Sequence, residues 1–257
     1  MSSSKSIISH ILLDIEGTTC PASLVSDVLF PYATHNIKRF AEQHHTRHDI
    51  KEIFKQARDE LANDACLSAA KQTQWLGDNA TDWQGICDYL IYLISIDRKS
   101  TALKDLQGKI WRQGYEEGEI KSHLFTEADQ CFREWRLQRK VLAVYSSGSI
   151  EAQKLLYQHT KSGDLRPLFL HWFDTHTGPK KEAQSYSLIC ASMNVAPESV
   201  LFISDSGAEC DAARQAGLRT LFSLREGNPD LNPRSHQAIT SLNEVTEYLN
   251  KKAESEE

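Results

Sequence analysis

Hydrophobic positions along this chain follow two different periods, and the change of period divides it. Ile7, Ile8, Ile11, Leu12 and Leu13 form a short apolar run that predicts a buried strand over residues 7–14. After Cys20-Pro21 the spacing becomes helical. Val25, Val28, Leu29 and Tyr32 recur at three- and four-residue steps, as do Ile86, Tyr89, Leu90, Leu93 and Ile94. Helices are predicted over 22–43, 48–64, 69–76, 81–97 and 102–117, with almost no strand signal among them. Trp75, Trp83 and Trp111 fall inside this block and read as its core.

From residue 127 the pattern alternates between the two element types. Helices are predicted over 127–138, 150–159, 179–193, 208–216 and 240–250. Apolar, β-rich runs at 140–145, 171–174, 199–203 and 219–223 predict strands between them. Residues 229–235 interleave Asn and Pro and predict a surface loop, and the charged tail 251–257 predicts a frayed end. Strands alternating with helices indicate an α/β fold whose parallel sheet is covered on both faces. The helical block then reads as an insertion after the first strand. Residues 1–19 and 126–257 would form the core, and 20–125 a helical cap. No internal repeat or low-complexity segment interrupts this reading.

Composition narrows the class without altering the architecture. The chain has 257 residues, 40% hydrophobic and 25% charged, with a formal net charge of −6. That balance gives no electrostatic reason to expect nucleic acid as a partner. The six cysteines (Cys20, Cys66, Cys87, Cys131, Cys190 and Cys210) show no C-x-x-C pair and no zinc-like spacing, which fits reduced thiols in a reducing compartment. Residues 1–6 are polar and unlike a signal peptide, and no apolar run approaches the roughly 20 residues of a membrane span. The expectation is a cytoplasmic protein with no membrane partner.

The candidate chemistry lies where apolar strands end. Leu13 runs into Asp14, Tyr145 into Ser146-Ser147, and Ile203 into Ser204-Asp205. Ligands of open parallel sheets bind beyond those ends, near the switch in strand order. If the three strands are neighbours, these polar residues converge. Asp14 and Asp205 would then place two carboxylates together, which calls for compensation by a hard cation such as Mg2+. Ser146-Ser147-Gly148-Ser149 can cradle an anion, and Ser149 can equally be an ordinary helix N-cap. Lys180, predicted in the first helical turn after Gly178-Pro179, opposes the helix dipole unless a phosphate or carboxylate lies beside it. Lys181 competes for that role. Glu209 completes an S-x-x-E capping box with Ser206, or else reaches the metal's outer shell or Lys180. Asp211 reads as a solvated helix residue.

Taken in order, Asp14-Ile15-Glu16-Gly17-Thr18, Ser146, Lys180, and Asp205 with Glu209 resemble the haloacid-dehalogenase superfamily of aspartate-nucleophile phosphatases. Glu16 departs from the aspartate usual in D-x-D-G-T. With Thr19, residues 145–156, residues 178–186 and the cap stretch 110–118, it makes the chain similar to the enolase-phosphatase branch of methionine salvage. The resemblance implies a Rossmann-like core with an inserted helical cap, and a small-molecule phosphate as substrate. It implies enolisation of a methylthio-diketopentyl phosphate followed by loss of its phosphate. Asp14 would be the nucleophile and Glu16 the acid and base. Mg2+ would sit on Asp14, Asp205 and the backbone carbonyl of Glu16, with Glu209 in the outer shell. Ser146, Ser147 and Lys180 would hold phosphate, Lys180 also tying it to Asp14. The branch is described as monomeric. The rival readings are a sugar- or glycolate-phosphate phosphatase on the same scaffold, a halide-displacing dehalogenase, and a catalytically silent binding protein. A nicotinamide dehydrogenase is disfavoured because no G-x-G-x-x-G follows a strand.

Overall fold

The computed structural model describes residues 7–77, 83–98 and 100–254. The chain divides into two compact units, one made of Met1–Val25 and Lys121–Glu257, the other of Ser26–Ile120. The first is built on six strands: β1 (His10–Leu13), β2 (Val141–Tyr145), β3 (Phe169–Phe173), β4 (Val200–Ser204), β5 (Arg219–Ser223) and β6 (Gln237–Ile239). All pair in parallel, in the order β3-β2-β1-β4-β5-β6. The chain therefore steps from β1 outward to β3, then returns to the other side of β1 for β4. The order reverses between β1 and β4, where open α/β sheets bind ligands. Leu13 is in register with both Val144 and Ile203. The next residues, Asp14, Tyr145 and Ser204, therefore leave the sheet side by side.

Successive strand side chains point to opposite faces. Ile11, Leu12 and Leu13 are nonetheless all fully buried, as are Leu201, Phe202 and Ile203. Both faces must be covered, which is why these strands read as continuous apolar runs.

The second unit consists of α1 (Phe30–His44), α2 (His48–Ala62), α3 (Ala69–Leu76), α4 (Trp83–Ser95) and α5 (Thr101–Glu116), with a π-helical turn, Val25–Leu29, leading into α1. The helical stripes close on a core that includes Ile37, Phe40, Ile53, Leu90, Leu106 and Ile110. Trp75 is buried in that core, and Trp83 packs against it half-buried. Trp111 is half-buried too and donates its indole N–H to Leu29 O at 2.9 Å. The Ser68 and Ser100 hydroxyls cap α3 and α5, accepting from Lys71 N at 3.3 Å and Leu103 N at 3.0 Å.

The remaining helices belong to the sheet unit: α6 (Ala128–Leu137), α7 (Ile150–Gln158), α8 (Ala183–Met193), α9 (Gly207–Gln215) and α10 (Asn243–Glu254). Residues of α8 and α9, among them Tyr186, Ile189, Cys210 and Ala213, pack with Leu12, Ala143 and Phe202. Phe132 of α6 packs edge-on and Tyr157 of α7 packs tilted against Phe169 of β3.

Several elements differ from the sequence-based expectation. β6 has no counterpart there, because three residues, Gln-Ala-Ile, carry too little periodicity. β3 begins at Phe169 rather than at 171. The helix predicted over 179–193 begins only at Ala183. The Pro179 carbonyl instead accepts from Glu182 N at 3.1 Å, so Lys180 lies in a turn ahead of the helix. At the end of the chain α10 continues to Glu254 where fraying was expected from 251. The polar segment 1–6, residues 81–82 of the predicted fourth helix and the last tail residues lie outside the described residues. No described helix is long and apolar enough to cross a membrane.

Candidate active site

Just after β1 the chain curls around one carbonyl. Ile15 O accepts from Thr18 N, Thr19 N and Cys20 N at 3.1, 2.8 and 3.2 Å. Gly17 makes the curl possible with φ +69°, in the left-handed region. A Cβ there would also stand 2.2 Å from Asp205 Oδ2, so only glycine lets the loop approach that carboxylate. This brings Asp14, the curl bearing Glu16, and Asp205 into one crevice. Asp14 is 3% exposed and Asp205 9%.

Lys180 completes the cluster. Its Nζ lies 2.7 Å from Asp14 Oδ1 and 2.8 Å from Glu209 Oε2, with 9% of its side chain exposed. Lys181, by contrast, is exposed, so the structure distinguishes two lysines that spacing could not. Burial alone would drive the Lys180 ammonium toward neutrality, but the Asp14 and Glu209 carboxylates outweigh it and hold its pKa above the lysine range. Glu209 is thereby accounted for. The expected capping box does not form, since Ser206 makes no side-chain cap bond. A charge-assisted bond to a buried ammonium outcompetes a neutral cap. Asp230 Oδ2 instead accepts from Gly207 N at 3.0 Å at the start of α9. Asp211 is a solvated residue of α9 as expected, and at the surface it pairs with Arg234 and with His236 Nε2.

Lys180 is held through its backbone. The Tyr145, Ser185 and Tyr186 hydroxyls donate to the carbonyls of Gly178, Pro179 and Lys180 at 2.8, 2.7 and 2.7 Å. Three consecutive carbonyls are thus fixed by three side chains from β2 and α8. Sequence reasoning assigned none of these hydroxyls a role; Tyr145 carried a faint signal as the last residue of its strand. Ser204 was noticed only as a strand end. Its hydroxyl lies 3.1 Å from Asp14 Oδ2 and 2.9 Å from Glu209 Oε2. One hydroxyl hydrogen serves one of these carboxylates at a time.

The Ser-rich loop follows β2. Ser146 is buried, and its Oγ accepts from Gly148 N at 3.2 Å. Ser147 is half-buried beside it. Ser149 acts as the N-cap of α7, accepting from Ala152 N at 3.3 Å. Buried Gln153 ties the loop to β3 by donating to Gly148 O and Phe173 O at 2.9 and 2.8 Å.

The electrostatics of the crevice are lopsided. Four carboxyl groups, those of Asp14, Glu16, Asp205 and Glu209, share the Lys180 ammonium. Burial, then repulsion from Asp14, pushes Glu16 up to about 7. Burial, then Asp14 and Glu209, pushes Asp205 up to about 7 as well. Glu209 is raised by burial and then by Asp14, in spite of Lys180. A divalent cation is the group that would relieve this crowding. No three described His, Cys, Asp or Glu side chains form a ready-made metal cage. Asp14 and Asp205 as ligands would leave the remaining positions largely to water and substrate, a pattern that suits Mg2+.

A family model described as haloacid dehalogenase-like hydrolase matches residues 8–217. Enolase-phosphatase E1 of Parasynechococcus marenigrum (strain WH8102) is 54% identical over 243 residues, spanning 94% of this chain and 99% of the relative. The protein of the same name from Synechococcus elongatus is 43% identical over 238 residues, spanning 93% and 98%. The crystal structure of the UTR4 protein from Saccharomyces cerevisiae superposes with a TM-score of 0.73 at 32% identity, covering 91% of this chain and 98% of that one. CbbY from Rhodobacter sphaeroides, at 19% identity and a TM-score of 0.58 over 93% and 96% of the two chains, shares the fold. The resemblance carried by the strand-end motifs is borne out along the chain.

Proposed function

The chain belongs to the haloacid dehalogenase-like hydrolases and, within them, to the Enolase-phosphatase E1 family, and from that premise we infer how its residues divide the chemistry. The protein is an enolase-phosphatase of methionine salvage, converting 2,3-diketo-5-methylthiopentyl-1-phosphate to acireductone and inorganic phosphate. The observation that carries the assignment of roles is the buried Asp14–Lys180–Glu209 cluster at the carboxyl end of β1.

Asp14 attacks phosphorus through a carboxylate oxygen. An aspartyl phosphate forms as the ester oxygen leaves, which splits one hard hydrolysis into two easier steps. Glu16 donates a proton to the leaving oxygen, then takes one from the water that cleaves the aspartyl phosphate. A carboxyl raised to about 7 is suited to both transfers near neutral pH. Lys180 holds Asp14 in place and meets the phosphate oxygens, with Glu209 keeping its ammonium oriented. Ser146 and Ser147 bind the phosphate with hydroxyls and the amides of their loop. Asp14, Asp205 and the Glu16 carbonyl would hold Mg2+, which neutralises charge on the transferring phosphoryl group when bound.

The same proposal includes a cytoplasmic location, supported by six cysteines none of which forms a disulfide, a monomeric state, and a capping role for the helical insertion.

The test follows phosphate release and enediol absorbance together in wild type and Asp14→Asn, with Mg2+ and with chelator. Wild type should yield both products only with Mg2+, and the variant should lose phosphate release by at least about 10³-fold. Phosphate release persisting in Asp14→Asn would overturn the nucleophile. Phosphate from simple esters with no enediol from the diketone would make the protein an ordinary phosphatase.

A further inference from the structure

Opposite the site's aspartates, one side chain is both buried and half-satisfied. Asn228 follows β5 in the loop Glu226-Gly227-Asn228-Pro229 and is 6% exposed. Its amide orientation is fixed by two donor bonds. Nδ2 donates to Gly17 O and to Ser223 O, each at 3.0 Å. Reversing the amide would set its oxygen against two carbonyls, so Oδ1 must face the other way. There it has no hydrogen-bond partner among the described residues. A buried acceptor left unmade costs about 1–3 kcal/mol, so something is expected to meet it.

The neighbourhood says what kind of group that is. The point where a Cβ on Gly17 would sit is 2.7 Å from Asn228 Oδ1 and 2.2 Å from Asp205 Oδ2. The two oxygens press on the same side of Gly17, too close for any side chain there. Both are acceptors, and the donors beside them are already engaged: Ser223 Oγ and Asn228 Nδ2 both donate to Gly17 O. A hydrated cation held on Asp205 brings water O–H groups toward such a pair of acceptors. Residues that orient a metal's ligands typically govern its affinity by 10–100-fold.

We propose that Asn228 is a positioning residue for the divalent cation. Its Oδ1 accepts a hydrogen bond from the cation's hydration water on the Asp205 side, while its Nδ2 fixes the Gly17 carbonyl and with it the curl that carries Glu16. The inference rests on the metal reading given above.

The experiment is calorimetric titration of Mg2+ into chelator-stripped protein, with melting temperatures in chelator and in Mg2+. Asn228→Ala should weaken Mg2+ binding at least about tenfold. Ser223→Ala removes the other donor to Gly17 O but leaves the Asn228 oxygen, and should bind Mg2+ as wild type does. Asn228→Asp keeps an acceptor and adds charge. It should melt lower in chelator, having lost the donor to Gly17 O and Ser223 O, yet gain more from Mg2+ than wild type. Wild-type affinity in Asn228→Ala, or equal weakening in Asn228→Ala and Ser223→Ala, would overturn the proposal. If Asn228→Ala does not fold, a smaller Mg2+-induced rise in Asn228→Asp than in Ser223→Ala overturns it. Absence of Mg2+ binding by wild type would instead remove the metal reading itself.

Discussion

Asp64 in the helical unit and Asp205 in the sheet unit are both buried aspartates, and their environments push them in opposite directions. Asp64 accepts from Arg98 Nη1 at 2.9 Å, from Cys66 N at 3.0 Å and from Tyr89 OH at 3.3 Å. Hydrogen bonds from Arg98 outweigh burial and hold its carboxyl below the usual range. Asp205 has burial and the charges of Asp14 and Glu209 against it, with Lys180 as partial relief, and stands at about 7. The first carboxylate is fully paired and stabilises the structure that holds it. The second is crowded by like charges in the isolated chain and is relieved when a cation arrives. Buried charge by itself says little about role; its pairing decides.

The sharpest way to break this contrast is to neutralise each aspartate. Asp205→Asn should reduce phosphate release by about 10³-fold, the scale for losing a group that supports charge on the transferring atoms. In chelator it should also melt higher by about 2–4 °C, which is what 1 kcal/mol gives in a chain of this size, because a repelling carboxylate is gone. A lower melting temperature in chelator would refute the crowding argument. Asp64→Asn should do the reverse, leaving turnover per folded molecule intact and destabilising by about 2 kcal/mol as Arg98 loses its charged partner. Urea unfolding with parallel assays would check both signs.

Acid offers a finer cut. The folded state keeps Asp64 ionised more readily than the unfolded chain does. Its contribution is therefore present above the unfolded carboxyl pKa of about 4 and is lost as pH falls through the lower folded value. The stability gap between wild type and Asp64→Asn should be full at pH 7 and shrink below about pH 4. A gap unchanged at pH 3 would mean that the pair contributes through shape rather than charge.

The smallest expected effect concerns the turn that carries Lys180. Tyr186→Phe removes one of its three hydroxyl supports and should cost about 1 kcal/mol. We expect kcat to fall a few-fold with KM little changed, because the lysine loosens while the phosphate loop is intact. Equal kcat and KM to wild type would show that Tyr145 and Ser185 suffice.

Much of this was legible in the chain. Continuous apolar runs marked β1, β2 and β4, and each ended in the polar residue that the structure places in the crevice. Helical spacing separated the inserted unit, and Asp14, Ser146, Lys180 and Asp205 appeared in motif order. Other features left no local trace. Glu209 satisfied a capping-box pattern that the folded chain does not use, and Lys180 and Lys181 were equivalent by spacing. Asn228 lies 211 residues from the Gly17 carbonyl it supports. β6 is too short for periodicity to declare.

The sequence by itself determined most of the strands and helices, β6 and the turn before α8 apart, where the sheet's polar ends fall, and which acids and serines stand there. Those properties depend on side-chain order over a few residues. Only the tertiary structure decided which lysine is buried between Asp14 and Glu209, which hydroxyls fix its turn, and which carboxylates are left to repel one another. Hydrogen bonds and charge coupling act over a few ångströms of space, and the parallel sheet brings into that range residues that the chain keeps far apart.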